Sequence, residues 1–238
     1  MTFLPLSRIV TDPDQIAHID TWIFDLDNTL YHPRHCLFDQ IDARMGAYIA
    51  QLEGCDLLTA RTIQKRYFYD HGTTLAGLMA HHDVVPTHFL DYVHDIDVTV
   101  LDADPELRAA LSVLPGRRLI YTNADTPYAQ RVIERLGIAD LFAGVFDICA
   151  AAFVPKPQPS AYDKFCTDHD IIPANAIFFE DMARNLIPAK KRGMTTVWLD
   201  NGAESGNRDI DPTAIDFITA DLTAWLTTAI NPQIIEAT

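Results

Sequence analysis

The sequence predicts an α/β fold in which a parallel-sheet core is interrupted by an all-helical insert. Short apolar strands alternate with helical patterns after residue 115, which is typical of a parallel sheet covered by helices on both faces. The stretch 37–100 instead carries helical periodicity and no convincing strand. A chain of 238 residues, 48% of them hydrophobic, is long enough to bury a core and carry such an insert.

The predicted core strands are short apolar runs, the first of which precedes the insert. They cover residues 21–25, 118–122, 144–148, 176–180 and 195–199. Helical patterns follow them at about 127–136, 159–169, 183–191 and 221–229. The stretch 201–212, with its Gly, Asn and Asp residues, is predicted to be a surface loop.

The insert is predicted to contain four helices, near residues 37–53, 56–70, 73–82 and 87–95. In the first, apolar residues recur at helical spacing from Leu37 to Leu52, and Gly54 is a natural stop. The segment 104–114 then returns the chain to the sheet. We therefore predict a core formed by residues 1–36 and 101–238 and a helical cap formed by residues 37–100.

Composition excludes several classes of partner. A net charge of −15 argues against binding to a nucleic-acid polymer or an anionic membrane surface. No apolar run reaches the roughly 18 residues of a membrane span, and the first eight residues lack a basic region followed by a long apolar run. The four cysteines are widely spaced, without a Cys-x-x-Cys pair. These features favour a reducing, cytoplasmic environment.

The first predicted strand ends in two aspartates separated by one residue, Asp25 and Asp27. If the extended geometry persists to Asp27, residues i and i+2 point the same way and both carboxylates converge at the carboxyl end of the strand. Such like charges repel, and a bound hard cation is the usual remedy. A solvated turn is the alternative for a bare Asp-x-Asp, but three downstream segments argue against it.

Those three segments also lie at the predicted carboxyl ends of strands, where parallel sheets bind ligands. Thr122 and Asn123 precede a helix for which Thr126 is the expected N-cap, a combination that suits phosphate. Lys156 lies between two prolines, and a cation there can offset phosphate charge, although a lone lysine in such a loop is usually solvated. Glu180 and Asp181 end an apolar strand, where Asp181 can cap a helix or bind metal.

The order Asp-x-Asp, Thr, Lys, Glu-Asp resembles the four-motif signature of the haloacid dehalogenase superfamily of phosphohydrolases. The resemblance spans nearly the whole chain and implies a Rossmann-like core with the family's first type of cap. The segments 25–31, 72–78 and 156–162 are similar to the pyrimidine 5′-nucleotidase branch of fungi, plants and bacteria. That branch often has two aspartates where this chain has Glu180-Asp181, and glutamate there also occurs in related sugar-phosphate enzymes.

The resemblance implies a mechanism and a metal. Asp25 would be the nucleophile that forms an aspartyl-phosphate, and Asp27 the general acid and then base. Mg²⁺ would be bound by Asp25, the Asp27 backbone carbonyl, Asp181 and Glu180, the last directly or through water. Thr122, Asn123 and Lys156 would bind the transferring phosphoryl group. True dehalogenases need neither the second aspartate nor a metal.

We therefore expect a small phosphorylated metabolite as the substrate, most simply a pyrimidine nucleoside monophosphate. Sugar-phosphate or phosphoglycolate hydrolysis, phosphomutase activity, and a non-enzymatic phospholigand-binding protein are the alternatives. Within the cap, residues 66–69 (Arg-Tyr-Phe-Tyr) could contribute to base or ribose recognition, although apolar packing within the cap is the favoured role of their aromatic rings.

Overall fold

The computed structural model describes residues 15–230 and contains a six-stranded, fully parallel sheet. The strands are β1 (Thr21–Phe24), β2 (Arg117–Tyr121), β3 (Gly144–Phe146), β4 (Ala176–Glu180), β5 (Thr195–Leu199) and β6 (Phe217–Thr219). Their order is β3-β2-β1-β4-β5-β6. The chain thus builds outward on one side of β1 and then crosses to build outward on the other. Parallel sheets bind ligands at the carboxyl edge beside such a reversal.

Within residues 15–230, four α-helices lie between β1 and the return to the sheet, and five further α-helices flank the sheet. The first set is α1 (Leu37–Glu53), α2 (Leu57–His71), α3 (Thr74–His81) and α4 (Pro86–His94). The second set is α5 (Pro105–Ser112), α6 (Thr126–Arg135), α7 (Pro159–Asp168), α8 (Ala183–Lys191) and α9 (Leu222–Ile230). The predicted α/β class with an all-helical cap is confirmed. The exact domain boundaries stay a prediction, and their outer parts, 1–14 and 231–238, lie outside the described residues.

Both faces of the sheet are covered, because alternate side chains of each strand point to opposite sides. In β1, Trp22 and Phe24 belong to one apolar cluster and Ile23 to the other. Helices α5, α6 and α9 contribute to the first cluster, while α7 and α8 contribute to the second. The apolar residues of the cap join the first cluster, so the cap is continuous with the core on that side.

Two glycines of the cap, Gly54 and Gly77, have identifiable structural roles. Gly54 adopts a left-handed conformation (φ 63°) and caps α1 as predicted. In α3, Gly77 faces Tyr67 of α2 so closely that a Cβ atom would lie 2.2 Å from the Tyr67 Cβ. Only glycine lets α2 and α3 approach this closely.

Sequence reasoning missed β6 and placed the ends of some strands too far along the chain. β6 is only three residues long and pairs at the edge of the sheet with β5. Three residues are too few to show the alternating apolar pattern from which a strand is predicted. β1 ends at Phe24 rather than residue 25, and β3 ends at Phe146 rather than residue 148. Among residues 15–230, no helix is long and apolar enough to cross a membrane.

Candidate active site

The register of the sheet brings three of the predicted segments to one edge. Phe24 is level with Ile120 of β2 and Phe179 of β4, and the Asp25 N–H donates to the Phe179 carbonyl at 2.9 Å. Thr122 is held in the same way by the Phe146 carbonyl at 3.0 Å. Asp25, Thr122 and Glu180 therefore end adjacent strands and line a common cavity.

Lys156 lies at the centre of this edge and is only 1% exposed. Its Nζ donates to Asp25 Oδ1 at 2.7 Å, to Glu180 Oε2 at 2.7 Å and to the Tyr121 carbonyl at 2.9 Å. Burial alone would lower the pKa of Lys156, but the charges of Asp25 and Glu180 outweigh it and raise the pKa above its ordinary value. The buried, doubly paired ammonium excludes the alternative of a solvated loop lysine.

Asn123 positions the backbone of Lys156. Its Oδ1 accepts the Lys156 N–H at 2.8 Å, and its Nδ2 donates to the Lys156 carbonyl at 3.3 Å. The side-chain amide is therefore engaged within the protein, which leaves the predicted phosphate contact of Asn123 to its backbone. Thr122 Oγ1 accepts the Ala124 N–H at 3.0 Å, an orientation that keeps its hydroxyl hydrogen available as a donor.

Asp25, Glu180 and Asp181 form a buried acidic cluster, with one carboxylate oxygen from each lying within 4.8 Å of the others. Burial, followed by the charge of Glu180, raises the pKa of both Asp25 and Asp181. Lys156 contacts two of the three carboxylates, Asp25 and Glu180, which leaves the cluster with an excess of acidic groups. Hard oxygen ligands with an excess of negative charge suit a divalent cation such as Mg²⁺. The buried Oδ1 of Asn185, which lacks a partner among the described residues, belongs to the wall of the same cavity.

Trp198 was missed by sequence reasoning. It is level with Glu180 in the sheet, and its Nε1 donates to the Asp181 carbonyl at 2.9 Å, which fixes the turn after β4. The Glu180 carboxylate reinforces that turn, because its Oε1 accepts the Met182 N–H at 3.2 Å. The only sequence signal for Trp198 was its position near the carboxyl end of a predicted strand.

The extended geometry on which the predicted convergence of the Asp25 and Asp27 carboxylates depends is absent from the structure. β1 ends at Phe24, and the chain turns over the next residues, with Asn28 in a left-handed conformation (φ 60°). Extended geometry therefore does not persist to Asp27. Its carboxylate contributes to the wall of the cavity but lies outside the acidic cluster of the described residues.

The Asp27 carboxylate instead accepts hydrogen bonds from two tyrosines. Tyr31 and Tyr128 both donate to Oδ1, at 2.6 Å and 2.7 Å. Burial raises the pKa of Asp27, and the two phenol hydrogen bonds partly oppose that shift. Tyr31 was noted only as part of a motif and Tyr128 was not singled out, although its place in the first turn of α6 puts it near the strand ends.

The start of α6 also differs from the prediction. Asp125, rather than Thr126, is the N-cap, and its Oδ1 accepts the Tyr128 N–H at 3.1 Å. Thr126 is already helical, and its hydroxyl donates to Asp147 at 2.7 Å. A carboxylate outcompetes a hydroxyl for the positive end of a helix. With two carboxylates already there, this helix terminus does not suit a phosphate.

Residue His94 links the cap to this region. It ends α4, and its ring stacks on Tyr128 with centroids 4.5 Å apart and an interplanar angle of 11°. Its Nδ1 lies 3.0 Å from Asp125 Oδ1. The last helix of the cap is thereby packed against the tyrosine that holds Asp27.

The cavity lies between the cap and the carboxyl edge of the sheet and has a volume of about 210 Å³. Of the candidate recognition residues 66–69, only Phe68 lines it, while Tyr67 is buried within the cap and Arg66 is exposed. The predicted surface loop 201–212 is packed against α2 of the cap. Glu204 pairs with Lys65 at 3.0 Å, and the Arg208 guanidinium lies 3.7 Å from the Tyr69 ring centroid.

Comparisons with known proteins agree with this architecture. The model of the haloacid dehalogenase-like hydrolases matches residues 19–193. Phosphate metabolism protein 8 of Saccharomyces cerevisiae is 27% identical in an alignment of 202 residues that covers 77% of this chain and 61% of the yeast protein. The chain thus spans less than two thirds of that relative.

Two solved structures share the fold. CbbY from Rhodobacter sphaeroides, in complex with xylulose-(1,5)bisphosphate, matches with a TM-score of 0.62 at 16% identity, over 87% of this chain and 99% of that one. A predicted phosphoglycolate phosphatase from Haemophilus somnus matches with a TM-score of 0.58 at 17% identity, over 89% of this chain and 98% of that one. At these identities the likeness concerns the fold alone.

Proposed function

The chain belongs to the haloacid dehalogenase-like hydrolase family, and we propose that it hydrolyses phosphomonoesters through a phosphorylated Asp25. The observation that carries the proposal is the contact of Lys156 Nζ with both Asp25 and Glu180, beside Thr122 and Asp181. A carboxylate nucleophile, a buried cation and a hydroxyl donor at one edge are the groups that phosphoryl transfer requires. Pyrimidine nucleoside 5′-monophosphates are the proposed substrates.

Asp25 is the nucleophile in this proposal. Its Oδ1 is fixed by Lys156, and its Oδ2 accepts the Thr29 hydroxyl at 3.2 Å. Attack on phosphorus forms the Asp25 acyl phosphate and expels the leaving alcohol, and hydrolysis of the acyl phosphate then restores the carboxylate. Lys156 balances the negative charge of both the carboxylate and the transferring group, and the Thr122 hydroxyl donates to a phosphoryl oxygen.

Asp27 is the general acid and then the general base in this proposal. In the first step its carboxyl group gives a proton to the leaving oxygen, and in the second step its carboxylate removes one from water. The tyrosines occupy Oδ1, so Oδ2 is the oxygen left to carry that proton. Tyr31 and Tyr128 thus orient Asp27 in this scheme.

The acidic cluster fits Mg²⁺, with Asp25, Asp181 and the Asp27 backbone carbonyl as the proposed ligands and Glu180 bound directly or through water. When bound, the cation would act as a Lewis acid that offsets charge on the phosphoryl oxygens. The predicted cytoplasmic location stays a prediction.

The nucleotide assignment is supported by the resemblance of segments 72–78 and 156–162, which meet at the cavity through Gly72, Thr73, Thr74 and Lys156. Two competing substrate classes have support of a different kind. A fold neighbour is described as a predicted phosphoglycolate phosphatase, and another was solved with a sugar bisphosphate.

A panel of phosphomonoesters tests the proposal. Phosphate release would be measured from UMP, CMP, dTMP, AMP, GMP, phosphoglycolate and sugar phosphates, with Mg²⁺ and with a chelator. We expect metal-dependent release led by UMP and CMP. Phosphoglycolate or a sugar phosphate in the lead would overturn the substrate and keep the chemistry. Isomerisation without release would indicate a mutase, and absence of both would favour a binding protein.

Replacing either tyrosine that binds Asp27 tests the role of that aspartate. We expect Tyr128→Phe and Tyr31→Phe each to slow turnover about tenfold or more, because each removes a hydrogen bond to a charged group. The loss should be larger for an alkyl phosphate than for p-nitrophenyl phosphate, whose leaving group needs little protonation. Steady-state rates with both esters provide the measurement.

The matched control is Tyr48→Phe, which keeps the ring and removes a hydroxyl whose hydrogen-bond partner among the described residues is His88, near the cap surface. It should leave both rates within about twofold of the wild type. Equal losses with the two esters in Tyr128→Phe would assign the tyrosine a general structural role instead.

A further inference from the structure

Arg184 is a buried cation that the proposed chemistry does not use. It lies in the first turn of α8, is 7% exposed and forms part of the wall of the active-site cavity. Its Nη2 donates to the Gly72 carbonyl at 3.1 Å, and its guanidinium carbon lies 4.6 Å from the Phe68 ring centroid. Both contacts are with the cap.

The guanidinium is short of acceptors. A guanidinium has five N–H donors, and within residues 15–230 only the one to Gly72 finds a protein acceptor. Nε is buried without a partner, and no carboxylate of the described chain lies within ion-pair distance, 4.0 Å. Asp209 and Glu180 attract the group only from further away.

Arg184 differs from Lys156, the other buried cation in the cavity wall, in having no carboxylate partner among the described residues. Lys156 is buried to a similar extent but contacts two carboxylates and a carbonyl. Buried charges are normally paired, because leaving water costs several kcal/mol that only a partner offsets. Burial accordingly lowers the pKa of Arg184. Because the Arg184 guanidinium lies in the wall of the cavity, a bound ligand could supply the hydrogen-bond acceptor that the described residues do not.

We propose that Arg184 binds an oxygen acceptor on the leaving half of the substrate, the part that is not transferred to Asp25. The inference rests on the proposed function, because it takes the phosphoryl group to lie at Asp25 and Lys156. Glu180 and Asp181 immediately precede α8, so the acidic cluster and Arg184 belong to the same short segment. The leaving group of a phosphomonoester held by Asp25 would extend towards the cap, where Arg184 contacts Phe68 and Gly72.

A guanidinium can only donate hydrogen bonds, so the ligand group that it binds must be a hydrogen-bond acceptor. Its forked donors match two adjacent oxygen acceptors, or an oxygen beside a nitrogen acceptor. A carboxylate or second phosphate has this arrangement, and so does the O2/N3 edge of cytosine, whereas uracil has a donor at N3. The site therefore selects against esters whose leaving group lacks acceptors, and among pyrimidine nucleotides it favours CMP over UMP.

Two variants test this inference with the full chain. Arg184→Met removes all donors and keeps an apolar stem over Phe68, while Arg184→Lys keeps the charge and loses the fork. The substrates are CMP, UMP, phosphoglycolate and phenyl phosphate, whose leaving group lacks a second acceptor. We expect Arg184→Met to lower kcat/KM about tenfold to a hundredfold for the preferred acceptor-bearing ester, since a hydrogen bond to a charged group is lost. Phenyl phosphate should change by less than about twofold, and Arg184→Lys should lie between.

The pattern across substrates identifies the acceptor. Selective loss with CMP assigns the base edge, and selective loss with phosphoglycolate assigns a carboxylate. An equal loss with all four esters, phenyl phosphate included, would overturn the inference and make Arg184 a structural tie between core and cap. Unchanged rates would overturn it as well. Arg66→Met is the matched control, because Arg66 also lies over an aromatic ring, 5.4 Å from Tyr67, but is exposed and outside the cavity wall.

A binding measurement separates this inference from the proposed function. The affinities of CMP, phosphoglycolate and phenyl phosphate would be measured by calorimetry for Asp25→Asn and for the Asp25→Asn/Arg184→Met double variant, neither of which has a carboxylate at position 25. We expect the second substitution to weaken the preferred acceptor-bearing ligand at least about tenfold and to leave phenyl phosphate unchanged. That result would support Arg184 even if the wild type released no phosphate. Equal affinities in the two proteins would contradict it even if the wild type were active.

Discussion

Asp25→Asn is expected to abolish phosphate release while leaving the protein folded. An amide is a poor nucleophile and cannot form the acyl phosphate, so turnover should fall by at least about a thousandfold. The fold should tolerate the change, because the amide oxygen can still accept from Lys156 and the new NH₂ can donate to the Thr29 hydroxyl. Rates with the leading ester of the panel and a thermal melt provide the measurements.

The melt has an expected direction. Asp25 is repelled by Glu180 and held in a buried site, so removing its charge should leave the metal-free melting temperature unchanged or raise it. Mg²⁺ should still bind, though more weakly, through the remaining ligands. Asp102→Asn makes the same chemical change on the exposed surface and should alter neither rate nor stability. Near-wild-type turnover in Asp25→Asn would refute the nucleophile assignment.

Lys156→Met is expected to impair both stability and turnover. The methionine keeps an apolar stem of similar length but leaves Asp25 and Glu180 buried without their shared ammonium. Breaking a buried ion pair from one side typically costs about 3–5 kcal/mol. Loss of the cation that faces the phosphoryl group should also slow turnover by at least about a hundredfold. Denaturant unfolding of the metal-free protein and steady-state rates measure the two effects.

Two further variants test whether the loss of stability in Lys156→Met comes from the buried carboxylates. Lys191→Met removes a charge from the exposed face of α8 and should cost less than about 0.5 kcal/mol. Adding Glu180→Gln to Lys156→Met removes one of the stranded carboxylates and should recover part of the lost stability. A Lys156→Met protein as stable as the Lys191→Met control would contradict the view that this ammonium balances the acidic cluster.

Much of the fold could be predicted because the helical and strand patterns of this chain are long or sharply bounded. The four cap helices follow the predicted segments to within two residues, since Gly54 and the apolar spacing of α1 are unambiguous. The edge strand β6 could not be predicted, because three residues carry too little periodicity. The loop 201–212 looked like free surface, since nothing local to it shows that Glu204 and Arg208 contact the cap.

In the candidate site, the positions of the residues at the strand ends could be predicted, but the directions of several side chains could not. Parallel strands put Asp25, Thr122 and Glu180 at one edge, so their proximity follows from topology. The direction of each side chain beyond a strand end depends on turns that the pattern does not specify. Asp27 therefore turned out to face Tyr31 and Tyr128, and Asn123 to face the Lys156 backbone. Arg184 could not be identified from the sequence, because its burial and its lack of a carboxylate partner within residues 15–230 arise only in the folded chain.

A covalent phosphoryl intermediate on Asp25 can be trapped by quenching the reaction during turnover. The wild type would be mixed with the leading ester, labelled in its phosphate, in the presence of Mg²⁺, quenched in acid during turnover, and digested for mass spectrometry. We predict one phosphoryl group on the peptide that contains Asp25, labile to hydroxylamine and absent from Asp25→Asn. A label on another residue, or phosphate release with no labelled protein at any quench time, would contradict it.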